Sequence, residues 1–147
     1  MLRHTQTDPG FGDPAGYRLD QCSTQRNLSD EGRTHAKRIG QWFAGQQLRP
    51  QSVQSSVWCR CKDTAELAFG TYQVLGALAS TFDNPGPQTV QTQQLRDRLK
   101  SIANGQFEVW VTHQVNITAL TGVVPAMGEA VWVDRKGHVL RRTFFTD

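Results

Sequence analysis

Two hydrophobic periods run through the chain. Within residues 28–48, Ala36, Ile39 and Phe43 recur at helical spacing. Ser29 before them suits an N-cap, and Asp30 and Glu31 suit the positive end of a helix dipole. The spacing predicts a helix that ends near Gly45. Val53 in Val-Gln-Ser-Ser marks a short strand, and residues 62–78 predict a second helix with Ala65, Phe69, Tyr72 and Leu75 on or near one face. Residues 80–88 combine a short strand with a turn closed by Asn84-Pro85-Gly86-Pro87. Val90, Leu95, Leu99 and Ile102 then predict a third helix that stops at Asn104-Gly105.

Residues 107–112 (Phe-Glu-Val-Trp-Val-Thr) are β-branched and aromatic and read as a buried strand, followed over 113–122 by a short helix packed beside it. Residues 130–134 and 138–145 alternate around Arg135-Lys136-Gly137, which predicts a hairpin. Strands that alternate with helices define an α/β fold: a three-layer α/β/α sandwich with a mainly parallel central sheet and a C-terminal antiparallel hairpin. Residues 1–147 read as a single domain, long enough to bury one substantial core. Only Met1 and Leu2 precede Arg3-His4, where a buried strand takes about 4 to 8 apolar residues, so the first strand is expected to be cut short at its N-terminus. The compartment is left open on the same ground: cytoplasmic as encoded, periplasmic or exported if a signal is missing.

Composition narrows the function classes. At 37% hydrophobic residues and with no apolar stretch near the roughly 18–20 residues a span requires, no membrane span is expected. The net charge is +3 and the basic residues are scattered instead of forming a stripe with interleaved aromatics. That pattern disfavours nucleic acid and favours a small anionic substrate. Three cysteines, Cys22, Cys59 and Cys61, are too few for a disulfide scaffold. Cys59-Arg60-Cys61 also lacks the two-residue gap of zinc motifs, so no metal and no other cofactor is expected. One bridge from Cys22 to either Cys59 or Cys61 is compatible with an exported protein.

Between Asp8 and Asn27 the chain is rich in Gly, Pro, Asp and Asn without any period; a loop of about 20 residues is usually functional or disordered. Four features border the predicted strand ends: Arg3-His4-Thr5; Ser56 to Ala65, with Arg60 and Thr64; Asp83; and Val-Thr-His113 after the most apolar strand. Ligands bind at the carboxyl ends of strands in open α/β sheets, which makes this placement the functional signal.

Together with Asn27-Leu-Ser-Asp-Glu-Gly-Arg33, these segments resemble the histidine phosphatase superfamily, the phosphoglycerate mutase-like fold, over most of the chain. Thr5 stands where the family signature Arg-His-Gly has glycine, and Val57 replaces the usual proline of the second segment. The resemblance implies a phosphoric monoester hydrolase that needs no metal. His4, neutral and held by a backbone carbonyl, is expected to attack phosphorus and form a phosphohistidine. Arg3 and Arg60 bind the phosphoryl oxygens, and His113 adds a further donor, preferably as imidazolium. Asp83 is expected to protonate the leaving oxygen, with Asp8, Asp13 and Asp20 as fallbacks. Implied partners are a small phosphorylated substrate or a phosphoprotein, with phosphate or another oxyanion in the site. The alternatives are a catalytically silent phosphate-binding module and a mutase-type phosphotransferase. The first loop faintly resembles that of exported members acting on phosphorylated lipopolysaccharide sugars, where Arg18 and Arg26 would meet a second anionic group. His35 and His138 read as surface residues, Asn116 as a brace for the turn after His113, and Trp58 as packing.

Overall fold

The computed structural model describes residues 1–146. Six strands form one sheet: β1 (Leu2–Arg3), β2 (Ser52–Ser55), β3 (Gln73–Val74), β4 (Glu108–Thr112), β5 (Ala130–Val133) and β6 (Val139–Thr143), in the order β3-β2-β4-β1-β5-β6. The pairs among β1 to β4 are parallel, while β5 runs antiparallel to both β1 and β6. The helices are α1 (Asp30–Gly45), α2 (Cys59–Phe69), α3 (Gln88–Ser101) and α4 (Gln114–Thr121).

Alternation along β4 separates two cores. Val109 and Val111 pack with Ile39 and Phe43 of α1 and Ala65 of α2, whereas Trp110, between them, packs with Leu95 and Leu99 of α3 and Leu120 of α4. The sheet is therefore covered on both faces, as the alternation of elements in the sequence requires. Ser29 caps α1, its hydroxyl accepting from the Gly32 N–H at 3.1 Å. Gly32 is required for a second reason: a Cβ there would stand 2.0 Å from the Gln6 carbonyl oxygen, which holds α1 against the segment that follows β1.

Two sequence expectations need correction. The helix predicted over 62–78 ends at Phe69, because Gly70 takes the left-handed conformation (φ 71°) and closes the last turn onto the Glu66 carbonyl. Gln73 and Val74 then pair with the open edge of β2, and Gly76–Leu78 forms a single 3₁₀ turn. Residues 80–87 hold no strand among the described residues, so Asp83 stands in a loop and not at a strand end. The other helices, the hairpin and the buried strand lie where the pattern put them.

β1 is held at its start by β5. Met1 exchanges hydrogen bonds with Val131, its amino group donating at 2.7 Å and its carbonyl accepting at 2.8 Å. Beyond it, on the line of β1, the flanks of β4 and β5 border an apolar cavity of about 550 Å³ lined by Phe43, Leu99, Phe107, Trp110 and Trp132. Burial pulls the Met1 amine down to about 5. Among the described residues no helix is long and apolar enough to cross a membrane.

Candidate active site

The sheet order brings three parallel strand ends side by side, those of β2, β4 and β1, and each delivers one expected segment. His4 follows β1, Ser56 follows β2 and His113 follows β4 as the N-cap residue of α4. Backbone bonds lock the ends together: the His4 N–H donates to Thr112 O at 3.0 Å and the Ser56 N–H to Val111 O at 3.0 Å. Above them lies a cavity of about 360 Å³ lined by Arg3, His4, Arg60, Asp83 and His113, the five residues singled out by sequence. Asp13 and Arg26 line it as well.

His4 is 3% exposed. Its Nδ1 lies 2.9 Å from the Thr5 carbonyl oxygen, which can only accept, so Nδ1 carries the proton and Nε2 keeps its lone pair. Burial, with Arg60 close by, pulls the imidazole down to about 3, so it is neutral at neutral pH. Thr5 is completely buried: its N–H donates to Thr64 Oγ1 at 3.2 Å and its own hydroxyl lies 3.3 Å from the same atom. The hydroxyl that replaces glycine is thus satisfied by α2 and kept out of the cavity lining.

His113 Nε2 meets Ser56 Oγ at 2.7 Å and Cys61 Sγ at 3.5 Å, with the Trp58 ring edge-on at 5.4 Å. Its expected charge is not that of the unliganded site. Burial first, then His4, Arg60 and Arg3, hold it well below the usual histidine range, so it is neutral there. Burial also pushes the Cys61 thiol up to about 12, which leaves it protonated and unreactive.

Three guanidiniums share the cavity. Arg60 donates Nη1 to Asp13 at 2.9 Å, Arg3 donates Nη1 to Pro125 O at 2.7 Å, and Arg26 donates Nη1 to Gly10 O at 2.5 Å. Each keeps a buried Nε–H without an acceptor. Burial together with mutual repulsion lowers Arg3, beside Arg26 and Arg60, and Arg26, beside Arg60. Buried donors without acceptors are uncommon, and three cations crowded together favour an anion among them.

Arg26 was not among the expected phosphate ligands. It is delivered by the first loop, which is pinned to the start of α2 by a Cys22–Cys59 disulfide and by the Gln25 side chain, whose Oε1 accepts from the Cys59 N–H at 2.9 Å. The bridge thus falls on Cys59, leaving Cys61 free. The sequence points to Arg26 only for a second anionic group, through the resemblance of its loop, and not for the phosphoryl site. Arg18 is not part of the site; it pairs with Asp20 at the surface.

Of the acids, Asp8 and Asp20 are exposed and do not line the cavity. Asp13 is fully committed: it pairs with Arg60 and accepts from the Trp58 Nε1–H at 3.2 Å and the Arg26 N–H at 3.0 Å. Asp83 lines the rim, exposed, beside Tyr17, whose phenol is held above its usual value by burial first and then by this carboxylate. Asn116 ties α4 to Ala79 O at 2.9 Å instead of bracing its own turn. His35 is half-buried rather than on the surface: a Cβ on Gly128 (φ +76°) would lie 2.3 Å from its ring. His138 pairs with Asp134 at the surface. Among the described residues no group of three or more His, Cys, Asp or Glu is arranged to hold a metal ion.

The sheet order and the helices on both its faces give the phosphoglycerate mutase-like fold, which the chain shares with solved histidine phosphatases. The protein histidine phosphatase SixA, solved with tungstate, aligns with a TM-score of 0.63 at 16% identity over 98% of this chain and 94% of that one. A SixA protein from Agrobacterium tumefaciens gives 0.65 at 16% identity over 97% and 94%. A mycobacterial glucosyl-3-phosphoglycerate phosphatase gives 0.57 at 22% identity over 81% and 74%. No protein-family model and no curated protein matches the chain, so the likeness is one of fold.

Proposed function

We propose that the chain is a phosphomonoester hydrolase that works through a phosphohistidine on His4. One observation carries the reading: a neutral, buried histidine with a free Nε2 lone pair stands in a cavity with three guanidiniums whose Nε–H groups lack acceptors. Phosphoryl transfer places charge on three equatorial oxygens, and catalysis consists mainly of orienting the nucleophile and surrounding those oxygens with fixed donors. Arg3, Arg26 and Arg60 supply the donors. Ser56 Oγ accepts from the Trp58 N–H, so its own hydrogen is available to His113 Nε2, and that tautomer makes the His113 Nδ1–H a further donor. A bound dianion also favours the imidazolium form, against the burial that disfavours it.

In the first half-reaction His4 Nε2 bonds to phosphorus as the P–O bond to the leaving group breaks, and Asp83 gives that oxygen its proton. In the second, water attacks phosphorus, Asp83 takes the proton, the P–N bond breaks, and phosphate leaves with His4 neutral again. Asp83 takes this part because Asp13, the other carboxylate lining the cavity among the described residues, is bound to Arg60. The similar fold of SixA and the mycobacterial phosphatase supports the reaction class. The cationic charge comes from side chains, so activity is expected to survive chelation.

The test is hydrolysis of an aryl phosphate from acidic to neutral pH with chelator present, comparing wild type with His4→Ala. Turnover in wild type, acid-labile phosphate on the quenched enzyme, and neither in His4→Ala is the expected result. Phosphate bound without turnover would instead mark a silent phosphate-binding module.

A further inference from the structure

The cavity is larger than a phosphoryl group. At about 30 Å³ per water-sized group, a phosphate with its four oxygens fills roughly 120 Å³ of the 360 Å³, which leaves room for a leaving group of about eight such groups. The character of that remaining space differs from the cationic floor. Its walls come from Phe11 in the first loop, Phe82 in the loop after Leu78, Val115 at the start of α4, and Met127. Phe11 is 90% exposed and Phe82 50% exposed, yet the two rings meet edge to face at 5.4 Å from separate loops. Large aromatic side chains left in water beside a charged cavity mark a surface for ligand contact.

Charge narrows the leaving group further. The three arginines are those assigned to the phosphoryl group, and Arg18, expected from sequence to meet a second anion, is paired with Asp20 at the surface. Beyond those three arginines the lining offers Ser80, Gln114 and Asp83, and among the described residues no further cation that would receive a second negative group. We infer that the preferred substrates are monophosphates of uncharged leaving groups with a flat aromatic face, seated between Phe11, Phe82 and Met127. This rests on the hydrolase reading above and gives it a substrate class. A diphosphate of the kind a mutase must retain is disfavoured by the same rim.

The test compares kcat/KM for 1-naphthyl phosphate, glycerol 3-phosphate and 3-phosphoglycerate in wild type and in the Phe11→Ala/Phe82→Ala double variant. Comparing variants cancels the intrinsic ease with which an aryl group leaves. The naphthyl-to-glycerol ratio is expected to fall about tenfold in the double variant, what one or two aromatic contacts contribute. In wild type, 3-phosphoglycerate, with its extra carboxylate, is expected to be poorer than glycerol 3-phosphate. An unchanged ratio, or a preference for 3-phosphoglycerate, overturns the inference. If wild type turns over none of the three, the hydrolase reading fails, and binding to His4→Asn by calorimetry tests the rim alone. There, 1-naphthyl phosphate binding about tenfold tighter than glycerol 3-phosphate, with the advantage lost on removing both rings, supports the aromatic seat; equal binding of the two overturns it.

Discussion

His4 must stay neutral to act as a nucleophile, and its burial makes that state visible in the folding equilibrium. The ring is pulled from an ordinary 6.5 to about 3, chiefly by desolvation. Between those values the unfolded chain binds a proton at this position that the folded chain does not. Stability therefore rises with pH, and is lost as pH falls below 6.5, by about 1.4 kcal/mol per pH unit for one such group. From pH 7.5 to pH 4.5 His4 alone costs about 3 kcal/mol, a large share of the roughly 5–15 kcal/mol that holds a domain together. His113, also held neutral, and the Met1 amine, lowered from 8.0 to about 5, act in the same direction. The contribution of His4 is isolated by urea denaturation of wild type and His4→Asn at several pH values across this window. Asparagine keeps a side-chain N–H within reach of the Thr5 carbonyl but does not titrate. The loss of stability between pH 7.5 and 4.5 is expected to be about 3 kcal/mol smaller in the variant. If the two proteins lose stability in parallel, His4 titrates as an ordinary histidine and the argument for a buried neutral nucleophile fails.

Three other measurements bear on the site and its support. Arg26→Ala is expected to lower kcat on an aryl phosphate by about 10²–10³, like the loss of one fixed oxyanion donor, as steady-state kinetics would read; a change under threefold would remove Arg26 from the site. Reducing Cys22–Cys59, or Cys22→Ser, is expected to cost about 4 kcal/mol from the sequence separation of 37 residues, measured by denaturation with and without thiol. Because the freed loop also carries Arg26 and Asp13, weaker phosphate binding by calorimetry should accompany that loss.

What could be read from sequence divides along a physical line. His113 was legible because a β-branched, aromatic run stops just before it, and His4 and Arg60 because their segments carry the resemblance; a parallel sheet gathers such strand ends on one edge. Residues 73–74 were not legible as a strand, because what makes them one is the open edge of β2, a partner distant in sequence. Asp83 was found as a cavity residue for a wrong local reason, since the loop that holds it follows a buried 3₁₀ turn and not a strand. The sequence points to Arg26 for a second anion and to Asp13 as a fallback acid, but their places beside Arg60 were not legible for a related cause: their loop has no period, and its place is set by ties to other segments. Cys22 joins Cys59, Gln25 accepts from the Cys59 N–H, and Asp13 pairs with Arg60, the residue next to that anchor. The same α2 turn thus holds the loop by Cys59 and receives its charges through Arg60, so the disulfide fixes the distance between Arg26 and Arg60. The sequence left open whether Cys22 joins Cys59 or Cys61; joined to Cys59, it leaves the Cys61 thiol beside His113 and ties the loop that carries the third guanidinium to the start of α2.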